Sequence, residues 1–311
     1  MFRSVLVANR GEIAVRIIKT LRAMGIRSVV VCSIPDRQGL AVRTADAHVV
    51  LEGATATETY LDIPAVIAAA LDSGCDAIHP GYGFLSERPE FAERCIEAGL
   101  TFIGPPPAVL HASGDKAAAR QLALANDVPV VPGWDGDDDD GVLIAEAERI
   151  GYPIMIKARG GGGGRGMREV TAPEAMPEAV ASARREAQSA FGDSRLLLEQ
   201  LVVAGHHVEI QVLADYHGNL VHLDERDCSV QRRHQKLIEE SPSPVVDDAL
   251  RGELTAAALR LARSLRYVNA GTFEFLVGSP ATSGRRPFYF LVLTPRRQFE
   301  HPVTELVTGL D

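Results

Sequence analysis

The chain has 311 residues, 46% of them hydrophobic and 23% charged, and a formal net charge of −9. Those proportions fit a soluble enzyme of two or three domains, and the acidic balance argues against a general nucleic-acid binder while leaving room for a local basic pocket. Four cysteines without Cys-x-x-Cys spacing argue against disulfides and structural zinc and point to a reducing cytoplasm. No apolar run approaches the length that crosses a bilayer, and a strand that begins almost at once is expected to leave no room for a leader peptide.

The first third alternates strand and helix. Residues 4–8 form a short apolar strand, and 12–24 carry Ile13, Ile17, Ile18 and Leu21 at helical spacing. Strands are predicted at 28–33 and 47–51, a helix at 63–73 stopped by Gly74, and a strand at 77–79. A helix at 91–98 and a short strand at 101–103 follow. This alternation predicts an open parallel sheet with its functional loops at the strand C-terminal ends. Gly104-Pro105-Pro106-Pro107 is the natural boundary. Beyond it, 133–141 reads as a solvated loop whose aspartates are surface groups. A helix is predicted at 142–150, then a strand from Ile154 and a helix across 173–189. Residues 196–200 and 208–214 look like an antiparallel pair, 220–224 like another strand, and 247–265 like a helix. Residues 272–277 and 287–293 are predicted to form a hairpin around a polar loop, so the second half has α+β character.

The most informative stretch is Ile154-Met155-Ile156-Lys157-Ala158-Arg159, followed by five consecutive glycines (160–164) and Arg165-Gly166-Met167. A strand delivers a lysine toward a phosphate, and a bare backbone follows that can close over it, because glycine puts no Cβ between its N–H groups and an anion. Of the 32 basic residues only four are lysines, at 19, 116, 157 and 236. Lysine is a compact point charge for phosphate, which arginine replaces poorly at a tight site. Lys116 begins a helix, where a cation opposes the dipole; a phosphate would resolve that conflict, and a plain surface lysine is the alternative. Asn9-Arg10-Gly11-Glu12, where strand meets helix, is either an anion site or only a turn. Residues 79–87, with two glycines and Tyr82 after a strand, read as a ligand loop.

His207, Glu209 and Gln211 alternate onto one polar strand face. Residues 225–236 hold Arg226, Arg232, Arg233, His234 and Lys236, a cationic run suited to an anionic ligand unless it is a solvated face. Glu274, between Phe273 and Phe275, faces away from the phenylalanines, where Mg²⁺ is a plausible partner. Arg296 and Arg297 precede Glu300, so a base stands beside groups that hold the anion it generates.

In order and spacing these motifs resemble the biotin carboxylases, the ATP-grasp component of acetyl-CoA, propionyl-CoA and pyruvate carboxylases, over essentially the whole chain. The resemblance implies a Rossmann-like parallel-sheet domain (1–113) and an α+β ATP-grasp domain (114–311) with a mobile lid at about 131–204. It implies two steps: ATP activates bicarbonate as carboxyphosphate, and the carboxyl group passes to N1′ of biotin on a carrier protein. Lys116, Lys157, Gly163 and Gly164 would hold the ATP phosphates. Glu199, Gln200, Leu201 and Val202 would line the adenine hinge, with His207, Gln231 and His234 near the nucleotide. Tyr82 and Gly83 would border biotin. Lys236, Arg296, Gln298 and the Phe299 backbone would hold bicarbonate, and Glu300 would be its base. Mg²⁺ or Mn²⁺, a biotin carboxyl carrier protein, a carboxyltransferase subunit, a homodimer and a cytoplasmic location are likewise implied; nucleic acid and membrane are not.

Two departures stand out. Val292 occupies the position of the second metal carboxylate and Thr294 that of a metal-facing asparagine, leaving Glu274 as the clear protein carboxylate for the metal. The family pattern also runs on beyond Asp311, so the ATP-grasp domain is expected to be incomplete and its activity open; a truncated, non-catalytic relative that binds ATP or a partner subunit is the alternative. Arg159 replaces a small residue at the lid entrance and is expected to alter flap closure.

Overall fold

The computed structural model describes residues 2–160, 166–232 and 235–310. The N-terminal part runs β1 (Ser4–Val7), α1 (Gly11–Ala23), β2 (Arg27–Cys32), α2 (Leu40–Thr44), β3 (Ala47–Val50), α3 (Ile63–Asp72), β4 (Ala77–His79), α4 (Pro89–Glu97) and β5 (Thr101–Phe102). Its five strands are parallel in the order β3-β2-β1-β4-β5. Helices on both faces require strands that are apolar throughout, and Val5, Leu6, Val7, Val29 and Val30 are fully buried. Helix α1 seals one face with Ile13, Ala14, Ile17, Ile18 and Leu21, the stripe its spacing predicts.

Helices α5 (Pro107–Gly114) and α6 (Lys116–Ala125) lead into a four-stranded sheet. That sheet is built from β6 (Gly133–Trp134), β7 (Ile154–Ala158), β8 (Met167–Val170) and β9 (Leu196–Gln200), in the order β6-β9-β7-β8. Helices α7 (Asp140–Ile150) and α8 (Met176–Phe191) cover it, giving a separate core around Leu143, Ile154, Ile156, Val180 and Leu198. The remaining sheet is antiparallel, in the order β12-β11-β10-β13-β14. Its strands are β10 (His206–Ala214), β11 (Leu220–Arg232), β12 (Gln235–Glu240), β13 (Asn269–Val277) and β14 (Phe288–Thr294). Helix α9 (Asp248–Ser264) packs Leu254, Ala258 and Leu261 onto Val208, Ile210, Phe273 and Phe275. The period-two alternation leaves the opposite face polar. Helix α10 (His301–Thr308) follows β14.

Three expectations are corrected. Residues 196–200 and 208–214 do not pair: β9 lies between β6 and β7, whereas β10 lies between β11 and β13. Apolar runs of similar length carry no record of which sheet they join. The loop predicted at 133–141 contains a strand, because Gly133 and Trp134 pair with Glu199 and Leu198. The strand predicted at 220–224 continues to Arg232, since its charged residues are matched by partners: Arg251 meets Glu225, Ser243 meets Asp227, and Glu209 meets Arg226.

Candidate active site

The polar face of the antiparallel sheet, the four-stranded sheet and the 82–87 loop enclose a cleft of about 1120 Å³. At one end Lys116, the first residue of α6, meets Lys157 from the fully buried strand β7. The Lys157 ammonium pairs with Glu199, whose other oxygen lies 3.7 Å from Arg120 Nη1. Arg120 is a residue the sequence reading missed; its place one helical turn after Lys116 is the signal that puts both on one face. Lys116 Nζ donates to the Ala158 carbonyl at 3.1 Å. Burial, reinforced by the neighbouring Lys157 charge, lowers the Lys116 pKa to about 8.

The five-glycine flap lies almost wholly outside the described residues, Gly163 and Gly164 included; Gly160 lines the cleft. Arg159 fastens the base of the flap, donating to the carbonyls of Leu196, Asp135 and Gly136. Glu199 reaches the cleft, while Gln200 and Leu201 turn their N–H groups to Pro132 and Pro153 (2.8 and 2.9 Å). Gln200, Leu201, Val202 and Gly83 are not among the cleft's lining residues. The aspartate run is structural: Asp138 and Asp140 pair with Arg184, and Asp139 caps α7.

At the other end the expected anion-handling residues converge. Lys236 Nζ lies 2.7 Å from Glu300 Oε1, 2.5 Å from Glu209 Oε2 and 3.0 Å from Gln298 Oε1, with Glu274 at 3.7 Å. Burial disfavours this ammonium, but Glu274, Glu209 and Glu300 outweigh it and hold its pKa well above the ordinary lysine value. The same contest runs the other way for Glu274. Burial favours its neutral acid, and Lys236 and His207 overcome that to hold the carboxyl well below the usual range. His207 Nε2 is 2.6 Å from Glu274 Oε2, and Gln231 Nε2 is 2.7 Å from His207 Nδ1. An amide N–H can only donate, so Nδ1 accepts and Nε2 carries the proton. His234 lies outside the described residues. Within the cationic run at 225–236, Arg226 is neither open to a ligand nor solvated: it is 1% exposed and donates to Glu209.

Arg296 forms an ion pair with Glu87 of the N-terminal part. Tyr82 stands edge-on to the exposed Phe299 ring at 6.2 Å. Asn9 holds this loop, donating to the carbonyls of Pro80 (2.7 Å) and Tyr82 (2.8 Å). Gly81 is needed there, with φ +66° and an added Cβ only 2.8 Å from the Asn9 amide. The Asn9 motif is therefore a brace for the ligand loop.

For a divalent cation the donor chemistry is lean. Val292 lies directly opposite Glu274 in the β13–β14 register, and the Thr294 hydroxyl donates to Glu274 Oε1 at 2.7 Å. Gln298 Nε2 donates to the same oxygen at 3.0 Å. Magnesium is commonly held by one or two carboxylates together with substrate phosphates and water. The residues present fit that pattern in its one-carboxylate form.

The family model for carbamoyl-phosphate synthase L chain, ATP binding domain, matches residues 115–311, and that for biotin carboxylase, N-terminal domain, matches 1–110. Biotin carboxylase from Halalkalibacterium halodurans is 47% identical, over 100% of this chain and 68% of that protein. The mitochondrial methylcrotonoyl-CoA carboxylase subunit alpha of Oryza sativa subsp. japonica is 50% identical, over 99% of this chain and 41% of that protein. The chain thus spans about two-fifths of the length of the methylcrotonoyl-CoA carboxylase subunits it matches. Among solved structures, a Campylobacter jejuni biotin carboxylase–β,γ-ATP complex superposes with a TM-score of 0.96 at 44% identity, covering 100% of this chain and 69% of that one. The biotin carboxylase domain dimer of Hydrogenobacter thermophilus 2-oxoglutarate carboxylase, with MgADP, ADP and bicarbonate, gives 0.94 at 42% identity, covering 100% and 68%. The chain belongs to the biotin carboxylase family.

Proposed function

We propose that this chain carboxylates biotin with bicarbonate at the expense of ATP, as the biotin carboxylase component of an acyl-CoA carboxylase. The observation that carries the reading is the two-ended cleft: Lys116 and Lys157 converge at one end, and Glu300 faces Lys236 beside Arg296 at the other. Lys116 and Lys157 neutralise the ATP phosphates, a role the family resemblance extends to Gly163 and Gly164, which lie outside the described residues. Glu199, Gln200, Leu201 and Val202 form the adenine hinge, and His207, Gln231 and His234 flank the nucleotide. Lys236, Arg296, Gln298 and the Phe299 backbone hold bicarbonate. Glu300 takes its proton, so that an anionic oxygen attacks the γ-phosphorus and ADP departs, leaving carboxyphosphate. Tyr82 and Gly83 border biotin, whose N1′ then forms its bond to the carboxyl carbon as the C–O bond to phosphate breaks and the departing phosphate takes the N1′ proton. Glu274 would hold Mg²⁺ or Mn²⁺ with the phosphates, where such an ion stabilises charge on the transferring phosphoryl group.

The partners that follow are a biotin carboxyl carrier protein, a carboxyltransferase subunit and a second copy of the chain. Among the described residues no helix is long and apolar enough to cross a membrane. Four buried free thiols favour a reducing compartment, for which we take the cytoplasm.

A second reading, a non-catalytic relative that binds nucleotide or a partner, is favoured by one observation: the valine opposite Glu274. Bicarbonate-dependent phosphate release from Mg-ATP, with and without free biotin, separates the two. Release that biotin stimulates supports catalysis; nucleotide binding without release supports the second reading.

A further inference from the structure

Beneath the cleft floor lies a closed ring of interactions, three of whose members, Arg226, Glu209 and Thr304, have no part in the proposed chemistry. Arg226 is 1% exposed and spends its guanidinium on three groups. Its Nε donates to Glu209 Oε1 at 2.6 Å, and its Nη1 donates to Gln211 Oε1 at 3.0 Å and to Thr304 Oγ1 at 2.6 Å. Glu209, fully buried, gives its second oxygen to Lys236, and Lys236 in turn holds Glu300. Glu300 is the N-cap of α10 and Thr304 lies one helical turn further on. The ring therefore runs Arg226, Glu209, Lys236, Glu300, the first turn of α10, Thr304 and back to Arg226. One carboxylate fixes the spacing of two cations, and those two cations grip one helix a turn apart.

Helix α10 depends on such a grip. It has eight residues, too few to be stable alone, and Thr304 is the one it buries. Leu306, Val307 and Leu310 are exposed. The Glu300 side chain makes no capping bond to the helix, because its carboxylate is turned to Lys236. Another tether, Glu305 with Arg16 and Arg297 (3.0 and 2.8 Å), is half-buried and holds the helix one residue beyond Thr304. A fully buried arginine is retained at a desolvation cost that apolar packing would avoid, so its value here is geometric.

We propose that the Arg226–Thr304 hydrogen bond is a strut that sets the height of the first turn of α10 and so keeps Glu300 on Lys236. Arg226 and Thr304 are positioning residues; the inference rests on Glu300 being the base of the proposed reaction. The test removes only the hydroxyl. Thr304→Val keeps the shape of the side chain, and Thr304→Ser restores the acceptor. Because an ångström-scale misplacement of a reacting group costs about a hundredfold, the valine variant is expected to lose at least about tenfold in kcat for bicarbonate-dependent phosphate release. Its KM for ATP, set at the far end of the cleft, stays unchanged. The serine variant recovers most of kcat. Crystal structures of both variants read the strut directly: the Lys236–Glu300 contact opens with valine and persists with serine. A valine variant that keeps the contact, or keeps kcat, overturns the proposal, as does a serine variant as impaired as valine. Should the unaltered chain release no phosphate, the proposed function fails, and the two structures still decide the strut.

Discussion

The double substitution Val292→Glu with Thr294→Asn tests whether the proposed metal site at Glu274 is limited by its single carboxylate. Directly opposed residues on antiparallel strands have Cα atoms about 5 Å apart, so the introduced carboxylate would face a Glu274 already held anionic by Lys236 and His207. Two unit charges at about 5 Å repel by about 3 kcal/mol at an effective dielectric of about 20. Lys236, 3.7 Å from Glu274, offsets part of this. The double variant is therefore expected to melt below the unaltered chain in EDTA and to recover when millimolar magnesium is added, while the unaltered chain responds weakly. Phosphate release should rise with the added ligand, since each hard anion helps hold the ion on the transferring phosphates. Thermal melts with and without magnesium, beside the release assay, measure both effects. A double variant whose melting ignores magnesium would refute the reasoning, because the new carboxylate would then not share a site with Glu274.

Two further outcomes follow from the same geometry. Burial and Lys157 lower the Lys116 pKa to about 8, and the charged form is the one proposed to hold phosphate, so affinity is expected to fall as pH rises through that value. MgADP binding measured by calorimetry should weaken by up to about tenfold between pH 7 and 9, and Lys116→Arg should flatten the curve; a flat curve for the unaltered chain would remove Lys116 from the phosphate site. At Gly271 an added Cβ would sit 1.9 Å from the buried Tyr267 hydroxyl, which donates to Ala270 at 3.0 Å. Gly271→Ala should cost about 1–3 kcal/mol by denaturant unfolding, and an unchanged midpoint would show that the ring yields freely.

The parallel sheet was legible because its strands are apolar throughout and its helices carry one stripe, as α1 does with Ile13, Ile17 and Leu21. The face bearing His207, Glu209 and Gln211 was legible from alternation, and Glu274 from its two phenylalanine neighbours. Pairing was not. Adjacency in sequence points β9 toward β10, and nothing in its apolar residues names Lys157's strand as its neighbour. At Arg226 the sequence suggested an anionic ligand, or else solvent, as the partner, and the fold supplies neither: Glu209 pairs with Arg226, as Arg251 does with Glu225 and Ser243 with Asp227, all from other elements. Glu87 was within a recognised loop, but its ion pair with Arg296, 209 residues away, is a product of the fold.

The substitution at 292 acquires a physical meaning only inside this network. Glu209, Glu274 and Glu300 surround one ammonium, and Glu274 is further satisfied by His207, Thr294 and Gln298. A fourth carboxylate would overload that arrangement unless a cation accompanied it. Valine adds no further charge, and the three acids face Lys236 and Arg226, which leaves one negative charge eased by the hydrogen bonds from His207, Thr294 and Gln298. The cleft is therefore expected to hold together without a divalent cation, which its one remaining negative charge attracts only weakly. Whatever cation it uses must be held chiefly by the nucleotide, and cation binding should track nucleotide binding instead of preceding it.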